Sequence, residues 1–329
     1  MAEEPITQNH TALEERLRPS KLADYVGQAA VKDSLKVYIE AATKRNDPLP
    51  HVLVHGGPGL GKTTLARILA NELGVGFRQT SGPALERTGD LAAIISSLND
   101  RDILFIDEIH RLSRVVEEML YPALESFAID LVLGKGMGAK SVRIDLPRFT
   151  LLGATTRFGA LSAPLRERFG VIQHLNFYEL GEIEKIVERS AKILGISIEK
   201  SAIGVIAQRS RRTPRVANRL LARLRDFAEV RGSGTIDPAL AQAALKTMAI
   251  DEQGLDAIDR RVLRTIIEKF SGGPVGISTI AAACHEERET IEAVIEPYLL
   301  QLGFLDRTLR GRKVTPLAYK HLGVQQTLL

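Results

Sequence analysis

The chain has 329 residues and a mass of 36.1 kDa, which is larger than a single hydrophobic core usually becomes and predicts two or three domains. Hydrophobic residues make up 44% and charged residues 26% of the chain, which excludes a disordered or fibrous protein, and the apolar runs are too short to span a bilayer. The acidic first residues exclude a secretory signal, and the single cysteine, Cys284, excludes an internal disulfide or a multi-cysteine metal site, so we expect a cytoplasmic protein with no membrane partner.

Residues 1–178 alternate short apolar runs with helical runs, which predicts a parallel sheet with helices on both faces. The predicted strands are residues 51–55, 77–80, 102–106, 149–154 and 171–177. The predicted helices are residues 62–73, 89–98 and 115–127, the last of them capped by Ser113. Between the third and fourth strands, two alternating runs separated by glycines predict a projecting β-hairpin over residues 128–146.

The remainder of the chain divides into two parts. Residues 179–251 have helical periodicity throughout, with Thr213 as the predicted cap and Pro214 in the first turn of the helix over 214–230. The other predicted helices of this part are residues 183–194 and 202–208. Residues 252–329 predict a winged helix, with helices 255–270, 277–284 and 288–302 followed by strands around 304–309 and 312–315.

The charge of these parts differs. The net charge of +4 comes from 44 basic and 40 acidic side chains, and the excess lies in residues 179–251, where residues 205–231 contain eight arginines and two acids. The overall charge does not identify a polyanion-binding protein, although local clusters can bind one.

A phosphate-binding loop is predicted where the first strand ends. Residues 56–63 read GGPGLGKT, which matches G-x-x-x-x-G-K-[ST] between a strand and a helix. Glycines let backbone N–H groups surround phosphate oxygens, and the start of the helix adds positive potential. A tight turn with a solvated lysine is the alternative, and the flanking elements disfavour it. The predicted nucleotide-binding residues here are Gly59, Leu60, Gly61, Lys62, Thr63 and Thr64, with Lys62 at the β- and γ-phosphates of ATP and Thr63 on Mg²⁺.

Two acids close the third strand. Asp107 and Glu108 follow four apolar residues, which predicts that they lie at the carboxyl edge of the sheet beside the phosphate loop. We expect Asp107 to hold Mg²⁺ through water and Glu108 to polarise the attacking water as a general base. At the end of the fourth strand, Thr155 or Thr156 could sense the γ-phosphate, and a capping threonine explains the same position nearly as well. His110, after the acids, is interpreted as a structural histidine.

For each arginine singled out beyond the phosphate-binding loop, the sequence leaves two possible roles. Arg166 and Arg168 precede the last strand, from which either could enter a neighbouring subunit's site as an arginine finger or remain solvated. Arg215 opens a predicted helix and could reach the phosphates, or be one more basic residue of an arginine-rich helix. In the predicted wing, Arg307, Arg310 and Arg312 have no acid between them, so they predict either a phosphate-binding surface or a solvated turn.

Several longer strings identify a family. They are RPSKLADYVGQ (18–28), GLGKTTLA (59–66), ILFIDEIHRLS (103–113), GATTR (153–157), APLRERFG (163–170), GGPVG (272–276) and EPYLLQLGFLDRT (296–308). Together they resemble the AAA+ ATPases and, within them, the RuvB family of Holliday-junction branch-migration motors. The resemblance covers about residues 13–323. It implies a large ATPase domain over 1–178, a small helical lid over 179–251 and a winged-helix head over 252–329.

The resemblance also implies roles that spacing alone does not give. Thr155 or Thr156 matches sensor 1, Arg168 the arginine finger and Arg215 sensor 2. Most other arginines of residues 205–231 would then serve subunit contacts and solvated faces. The further nucleotide-binding residues implied are Leu17, Arg18, Glu125, Ser126, Phe127 and Tyr178. The implied DNA-binding residues are Arg307 and Arg312, together with Arg288 and Arg310.

The implied activity is ATP hydrolysis by a homohexameric ring that moves duplex DNA during recombination and repair, including the SOS response. The implied partners are four-way-junction DNA, the junction-binding protein RuvA through the hairpin 128–146, and the resolvase RuvC in the larger complex. Because the predicted helix 288–302 is not rich in base-reading side chains, we expect sequence-independent binding. This chain departs from the family's pattern at Gly57, Ser126, Arg212 and Leu309, and arginine at position 212 is strained if the backbone there needs a positive φ.

Two other functions use the same features. One is a winged-helix DNA-binding regulator whose ATP site acts as a slow switch without translocation. The other is a clamp-loader-like role, which is disfavoured because one chain combines the motor motifs, the finger and the winged head.

Overall fold

A computed structural model of the chain describes residues 14–133 and 140–325. The chain divides into two compact units. One consists of Met1–Gly56 and Leu60–Asn176, and the other of Gly57–Gly59 and Phe177–Leu329. Within the described part of the chain, each helix is too short or too polar to cross a membrane.

The first unit is built on a five-stranded parallel sheet, with strands numbered in chain order and arranged β2-β3-β6-β1-β7. Its strands are β1 Val52–Gly56, β2 Phe77–Ser81, β3 Ile103–Asp107, β6 Thr150–Thr155 and β7 Val171–Leu175. The central strand β6 is buried along its whole length, as expected for a strand covered on both faces. Because the strands are parallel, β1, β3 and β6 end at one edge of the sheet, and His55 lies opposite Thr155 in the register.

The α-helices of this unit whose bounds the structure describes in full are α1 Ala29–Arg45, α2 Lys62–Leu73, α3 Thr88–Ser96, α4 Arg114–Glu125 and α5 Ala163–Glu167. The predicted cap of α4 is confirmed, since the Ser113 hydroxyl accepts a hydrogen bond from the Val116 N–H at 3.4 Å. Helix α4 ends at Glu125, two residues earlier than predicted, because Phe127 adopts a φ of +50° and turns the chain into the next strand.

The predicted hairpin follows. Strands β4 Ala128–Leu133 and β5 Lys140–Asp145 pair antiparallel, from Ala128 opposite Asp145 to Leu133 opposite Lys140. Residues 134–139, the predicted tip, lie outside the described residues. At its base, the Leu146 N–H donates to the Phe127 carbonyl at 2.7 Å, which joins the two ends of the hairpin.

The second unit begins with four helices, α6 Leu180–Leu194, α7 Lys200–Arg209, α8 Pro214–Arg231 and α9 Pro238–Thr247. Two short strands, β8 Ser197–Ile198 and β9 Thr235–Ile236, pair in parallel among them, which helical periodicity did not indicate. Thr213 occupies the position before α8, but its predicted capping bond is absent. Its hydroxyl donates instead to the Ser210 carbonyl at 3.3 Å.

In the last part of the second unit, helices are followed by a pair of strands, as predicted: α10 Ala257–Phe270, α11 Ile277–Cys284, α12 Arg288–Thr290, α13 Glu296–Gln301, β10 Leu305–Thr308 and β11 Gly311–Val314. A further helix, α14 Pro316–Leu322, follows the strands and was not predicted. The predicted helix 288–302 is interrupted by a π-helical turn, Ile291–Ile295. Pro297 explains this turn, because proline lacks an N–H to donate to the preceding turn and its ring needs room there. Cys284 is buried in the core of this part, as its apolar helix face predicted.

Candidate nucleotide and DNA sites

The phosphate loop joins β1 to α2. Gly56, Gly59 and Gly61 have φ values of +146°, +78° and +99°, which side chains rarely adopt. Lys62 is the first residue of α2 and is only 7% exposed, and its ammonium donates to the Gly56 carbonyl at 2.9 Å. The lysine is therefore held across the loop at the positive end of a helix, where phosphate oxygens bind.

Tyr25 lies beneath this loop, a contact that the sequence did not indicate. Its hydroxyl donates to the Leu60 carbonyl at 3.3 Å, and a Cβ at Gly61 would come within 2.9 Å of the same hydroxyl. Tyr25 is almost fully buried. Periodicity carries no signal of such a contact, because 35 residues separate the tyrosine from Leu60.

Within the second unit, the predicted sensor 2 residue contacts Gly59. The Arg215 N–H lies 3.5 Å from the Gly59 carbonyl, and a Cβ on Gly59 would come within 3.1 Å of the Arg215 Cβ. The loop before α8 is strained, because Arg211 and Arg212 have φ values of +52° and +51°. The left-handed conformation suspected for Arg212 is thus present, at a cost of about 1 kcal/mol for a residue with a side chain.

The acid pair lies at the carboxyl edge of the sheet, as predicted. Asp107 is the last residue of β3, and its carboxylate accepts the Glu108 N–H at 3.0 Å. The Glu108 carboxylate accepts the Thr156 hydroxyl at 3.1 Å and lies 3.1 Å from Nδ1 of His110. Glu108 has a φ of +47°, an unusual backbone conformation that sets the direction of its side chain. The two partners then hold the carboxylate in place.

The charge of Glu108 is favoured by these partners. Burial by itself would raise the pKa of Glu108. The hydrogen bond with His110, the charges of Lys62 and His110 and the Thr156 backbone outweigh that effect and lower the pKa below its usual value. The carboxylate is therefore ionised at neutral pH, as an acceptor of a proton from water must be.

The two candidate threonines differ. Thr155 is fully buried, accepts the Arg157 N–H at 2.9 Å and lies 2.9 Å from Nδ1 of His110. Thr156 instead donates to Glu108. Thr155 thus closes a turn with the backbone two residues on and contacts His110, and Thr156 has the contact with the acid pair. His110 touches both Thr155 and Glu108, a role its assignment as a structural residue did not include.

The residues at this edge have the chemistry that a nucleotide and Mg²⁺ need. The Thr63 hydroxyl and the Asp107 carboxylate are hard oxygen ligands of the kind that Mg²⁺ prefers. Among the described residues there is no group of three or more His, Cys, Asp or Glu side chains able to enclose a metal by themselves.

Arg168 is bound to its own chain. Its guanidinium lies 2.9 Å from the Glu125 carboxylate and 4.2 Å from the centre of the Tyr121 ring, and it donates to the Pro164 carbonyl at 2.6 Å. Its side chain is 20% exposed. Glu125, predicted to bind nucleotide, is thus a direct partner of the predicted finger.

The other predicted nucleotide residues are distributed over both units. Leu17 and Tyr178 are buried, and the Tyr178 N–H donates to the Arg212 carbonyl at 3.0 Å. Arg18 is half-buried. The Ser126 hydroxyl donates to the Pro122 carbonyl and accepts from Arg143, which fixes the base of the hairpin.

No acidic residue lies between the wing arginines in the sequence, but acidic side chains from the preceding helical segment lie close to two of them in the structure. Arg312 forms two 3.0 Å contacts with the carboxylate of Glu296, and only 12% of its side chain is exposed. Arg307 lies 3.4 Å from Glu292 and is more than half exposed. Arg312 is therefore a largely buried ion-pair partner, contrary to the expected open basic turn.

Two arginines remain more open. Arg310 lies in the turn of the wing, is exposed, and forms no ion pair with any residue that the structure describes. Arg288 is exposed and lies 3.8 Å from Glu292, too far for a hydrogen bond. The wing tip also exposes Leu309 completely.

Comparison with known proteins identifies the family. The Holliday junction DNA helicase RuvB P-loop domain matches residues 17–175, the RuvB AAA lid domain matches 178–251, and the RuvB C-terminal winged helix domain matches 252–323. The structure of the Thermotoga maritima RuvB Holliday junction branch migration motor is 48% identical, with a TM-score of 0.88, and the match covers 94% of this chain and 99% of that one. The chain belongs to the RuvB family.

The structure of a point variant of the Thermotoga protein is similarly close to this chain, with 49% sequence identity and a TM-score of 0.88. The match again covers 94% of this chain and 99% of that one. The Aeropyrum pernix ORC2 protein, solved as ADPNP–ADP complexes, is 16% identical over 92% of this chain and 93% of its own, with a TM-score of 0.57. At that identity the likeness concerns the fold alone. The resemblance and the predicted fold class are confirmed: a RuvB-type AAA+ P-loop core, a lid and a winged helix. The roles of individual residues remain predictions.

Proposed function

We propose that this member of the RuvB family hydrolyses ATP with Mg²⁺ in a homohexameric ring and uses the energy to move duplex DNA through a Holliday junction. The proposal rests on Glu108, which is ionised and is held by Thr156 and His110. This carboxylate lies at the same edge of the sheet as Lys62. Lys62 and Arg215 would bind phosphate, Thr63 and Asp107 would hold Mg²⁺, and Glu108 would accept the proton of the attacking water.

The ring is proposed because Arg168 lies against helices of its own unit rather than against its own phosphate loop. Its partners are Glu125 and Tyr121 of α4 and Pro164 of α5. As an arginine finger it would stabilise the transition state in a neighbouring subunit, so hydrolysis would require assembly. Other residues would complete the nucleotide surroundings, namely Leu17, Arg18, Thr64, Ser126, Phe127 and Tyr178.

Mixing two inactive chains tests this arrangement. The Arg168→Ala chain keeps a complete pocket, and the Lys62→Ala chain keeps a complete finger. We expect each alone to hydrolyse ATP slowly and the mixture to recover part of the activity, measured as phosphate release. Full activity of Arg168→Ala alone would reject the finger.

The proposed DNA surface is the wing. Arg310 and Arg307 are exposed there, with Arg288 on the neighbouring helix, and Arg312 would contribute while paired with Glu296. Contacts to backbone phosphates carry no base information, which supports sequence-independent binding. A ring of such heads would supply the avidity that a few contacts per subunit lack.

Arg310→Ala tests the wing. We expect weaker binding to duplexes of any sequence and a salt dependence whose slope is smaller by about 0.9 for each phosphate that the variant no longer binds. Binding isotherms at several salt concentrations measure both quantities. Arg114→Ala, which removes an exposed arginine on α4, is the control and should leave binding unchanged. An equal weakening in both variants would show that only total charge matters.

The proposed partners are RuvA, bound by the hairpin 128–146, and RuvC in the larger complex. The antiparallel pairing of β4 with β5 forms the hairpin on which this docking role is proposed. We also propose that the domains meet near residues 178 and 251 and that the protein acts in the cytoplasm.

Dissociation of a synthetic four-way junction with RuvA and ATP is the decisive assay. ATP hydrolysis without junction dissociation would favour the slow-switch regulator.

A further inference from the structure

Helix α4 carries Glu117, Tyr121 and Glu125 at intervals of four residues. Residues spaced in this way lie on one face of a helix, so these three side chains form a stripe, here called the α4 stripe. All three contact the segment 162–168, which contains α5 and ends at Arg168. One helix face therefore holds both ends of the element that carries the proposed finger.

The stripe first fixes the start of α5. Ser162 caps this helix, since its hydroxyl accepts the Leu165 N–H at 3.2 Å. The same hydroxyl donates to Glu117, and the Tyr121 hydroxyl donates to the same carboxylate oxygen at 2.6 Å. Burial and the hydrogen bond to Glu117 raise the pKa of Tyr121, so its hydroxyl stays a donor. The capping serine is thereby tied to helix α4.

The stripe also holds the end of α5. The face of the Tyr121 ring supports the Arg168 guanidinium at 4.2 Å, an attractive cation–π distance, and Glu125 pairs with it at 2.9 Å. The Nε of Arg168 is buried and has no hydrogen-bond partner among the described residues. The ring thus contacts the face of the guanidinium, while Glu125 and the Pro164 carbonyl bind its edge.

We propose that Tyr121 is a positioning residue for Arg168. Its ring supports the guanidinium, while its hydroxyl helps to fix the short helix from which the arginine projects. This inference rests on the proposed action of Arg168 in a neighbouring pocket and deepens it by naming the group that aims the finger. Tyr121 itself touches no reacting atom, so it acts on hydrolysis through Arg168.

The first test compares Tyr121→Leu with Tyr121→Phe in the full chain. Leucine removes the ring, and we expect it to lower kcat for ATP roughly tenfold to a hundredfold, with KM little changed, because the finger is misplaced but the pocket is intact. Phenylalanine keeps the ring and should reduce kcat less than leucine does. Equal reductions in the two variants, or wild-type kcat in Tyr121→Leu, would overturn the proposal.

The second test distinguishes loss of the finger from damage to the variant's own nucleotide pocket. The Tyr121→Leu chain is mixed with the Lys62→Ala chain, which cannot hydrolyse ATP but carries an intact finger. We expect activity to rise above the sum of the two separate chains, because the leucine variant keeps its own pocket. A structural fault in that pocket would not be restored, and absence of recovery would contradict the inference.

Measuring ATP hydrolysis by the Arg168→Ala chain in parallel shows whether a failure concerns the proposed function or only the positioning role of Tyr121. If Arg168→Ala hydrolyses ATP at the wild-type rate, the finger and the proposed function fail together with the inference. If Arg168→Ala is slow and is restored by mixing while Tyr121→Leu is fully active, the proposed function stands and the positioning role alone is rejected.

Discussion

The Glu108 side chain is held by two partners at the cost of backbone strain. Its φ of +47° is unfavourable for a side chain larger than hydrogen, at a cost of about 1 kcal/mol or more. The conformation lets the carboxylate meet Thr156 and His110 at once, while the Glu108 N–H binds Asp107. The two acids therefore point to different partners although they are adjacent in sequence.

Replacing Glu108 by glutamine tests its role as a base. The amide keeps the size of the side chain but cannot accept a proton, so we expect kcat to fall by roughly 10²-fold to 10⁴-fold with nucleotide binding retained. Phosphate release and binding of a fluorescent nucleotide measure the two effects. Glu118→Gln, at an exposed position on α4, is the matched control. Comparable reductions in both variants would contradict the assignment.

At the scale of elements, the loop before α8 is joined to the start of α10. Arg211 donates to the carboxylates of Asp256 and Asp259 and to the Gly254 carbonyl. Asp259 is 1% exposed, and one of its oxygens has no hydrogen-bond partner in the described part of the chain. The strained loop that precedes Arg215 therefore continues into a buried ion pair with the winged-helix part.

This ion pair predicts a dependence of stability on pH. Burial raises the pKa of Asp259 from 3.8 to about 6, although the charge of Arg211 opposes the shift. The folded chain then holds a proton that the unfolded chain releases near its usual pKa, so stability is greatest below that value and falls as the pH rises through about 6. The decrease is about 3 kcal/mol for a shift of this size.

Asp259→Asn should remove this part of the pH dependence. Amide hydrogen exchange of α10 in the full chain, between about pH 4 and about pH 7, measures its free energy of opening. We expect the slope to be smaller in Asp259→Asn than in the unchanged chain. The control is Asp306→Asn, which removes an exposed aspartate from the wing. Identical slopes in all three proteins would show that Asp259 does not titrate in this range.

The elements that the sequence predicted well are those with strong local signals. Strand β3 is continuous and apolar, and helix α2 follows a phosphate loop, so both were placed within a residue. Helix α9 lies in a part of the chain that was predicted to be helical, but it was not given bounds of its own, although Asp237 caps it through the Leu240 N–H and Pro238 follows at a favourable position. Caps of this kind were a usable signal.

The missing parts of the site depend on residues far apart in sequence. Glu296 neutralises Arg312 across 16 residues, and Tyr121 meets Arg168 across 47 positions of the chain. Local periodicity indicates which face of an element is buried, but the side chain that it meets there is determined by tertiary packing. For this reason the position of the acid pair was predicted, whereas the groups that contact Glu108 and Arg168 were not.

At the scale of the whole molecule, one chain carries a nucleotide pocket and a proposed finger for another pocket. A contact that uses different surfaces on the two partners is heterologous, and repeated around an axis it closes a ring. Such a ring explains why a chain could retain all its catalytic groups and still be inactive alone.

Specific activity should therefore depend on protein concentration. We expect phosphate release per chain to rise with concentration and to reach a plateau once assembly is complete, because only assembled chains have complete pockets. Sedimentation velocity under the same conditions gives the assembled fraction. Equal activity per chain in dilute and concentrated samples would mean that each pocket is complete in the monomer.

The hairpin and Arg168 are attached to the same end of α4. Glu125, which pairs with Arg168, ends that helix, and Ala128 begins the hairpin three residues later. Tension on the hairpin enters the first unit partly through this two-residue connection, next to the carboxylate that contacts the guanidinium. A protein pulling on the hairpin would therefore apply force next to the carboxylate that binds the proposed arginine finger, so force on the hairpin and the position of Arg168 would be linked.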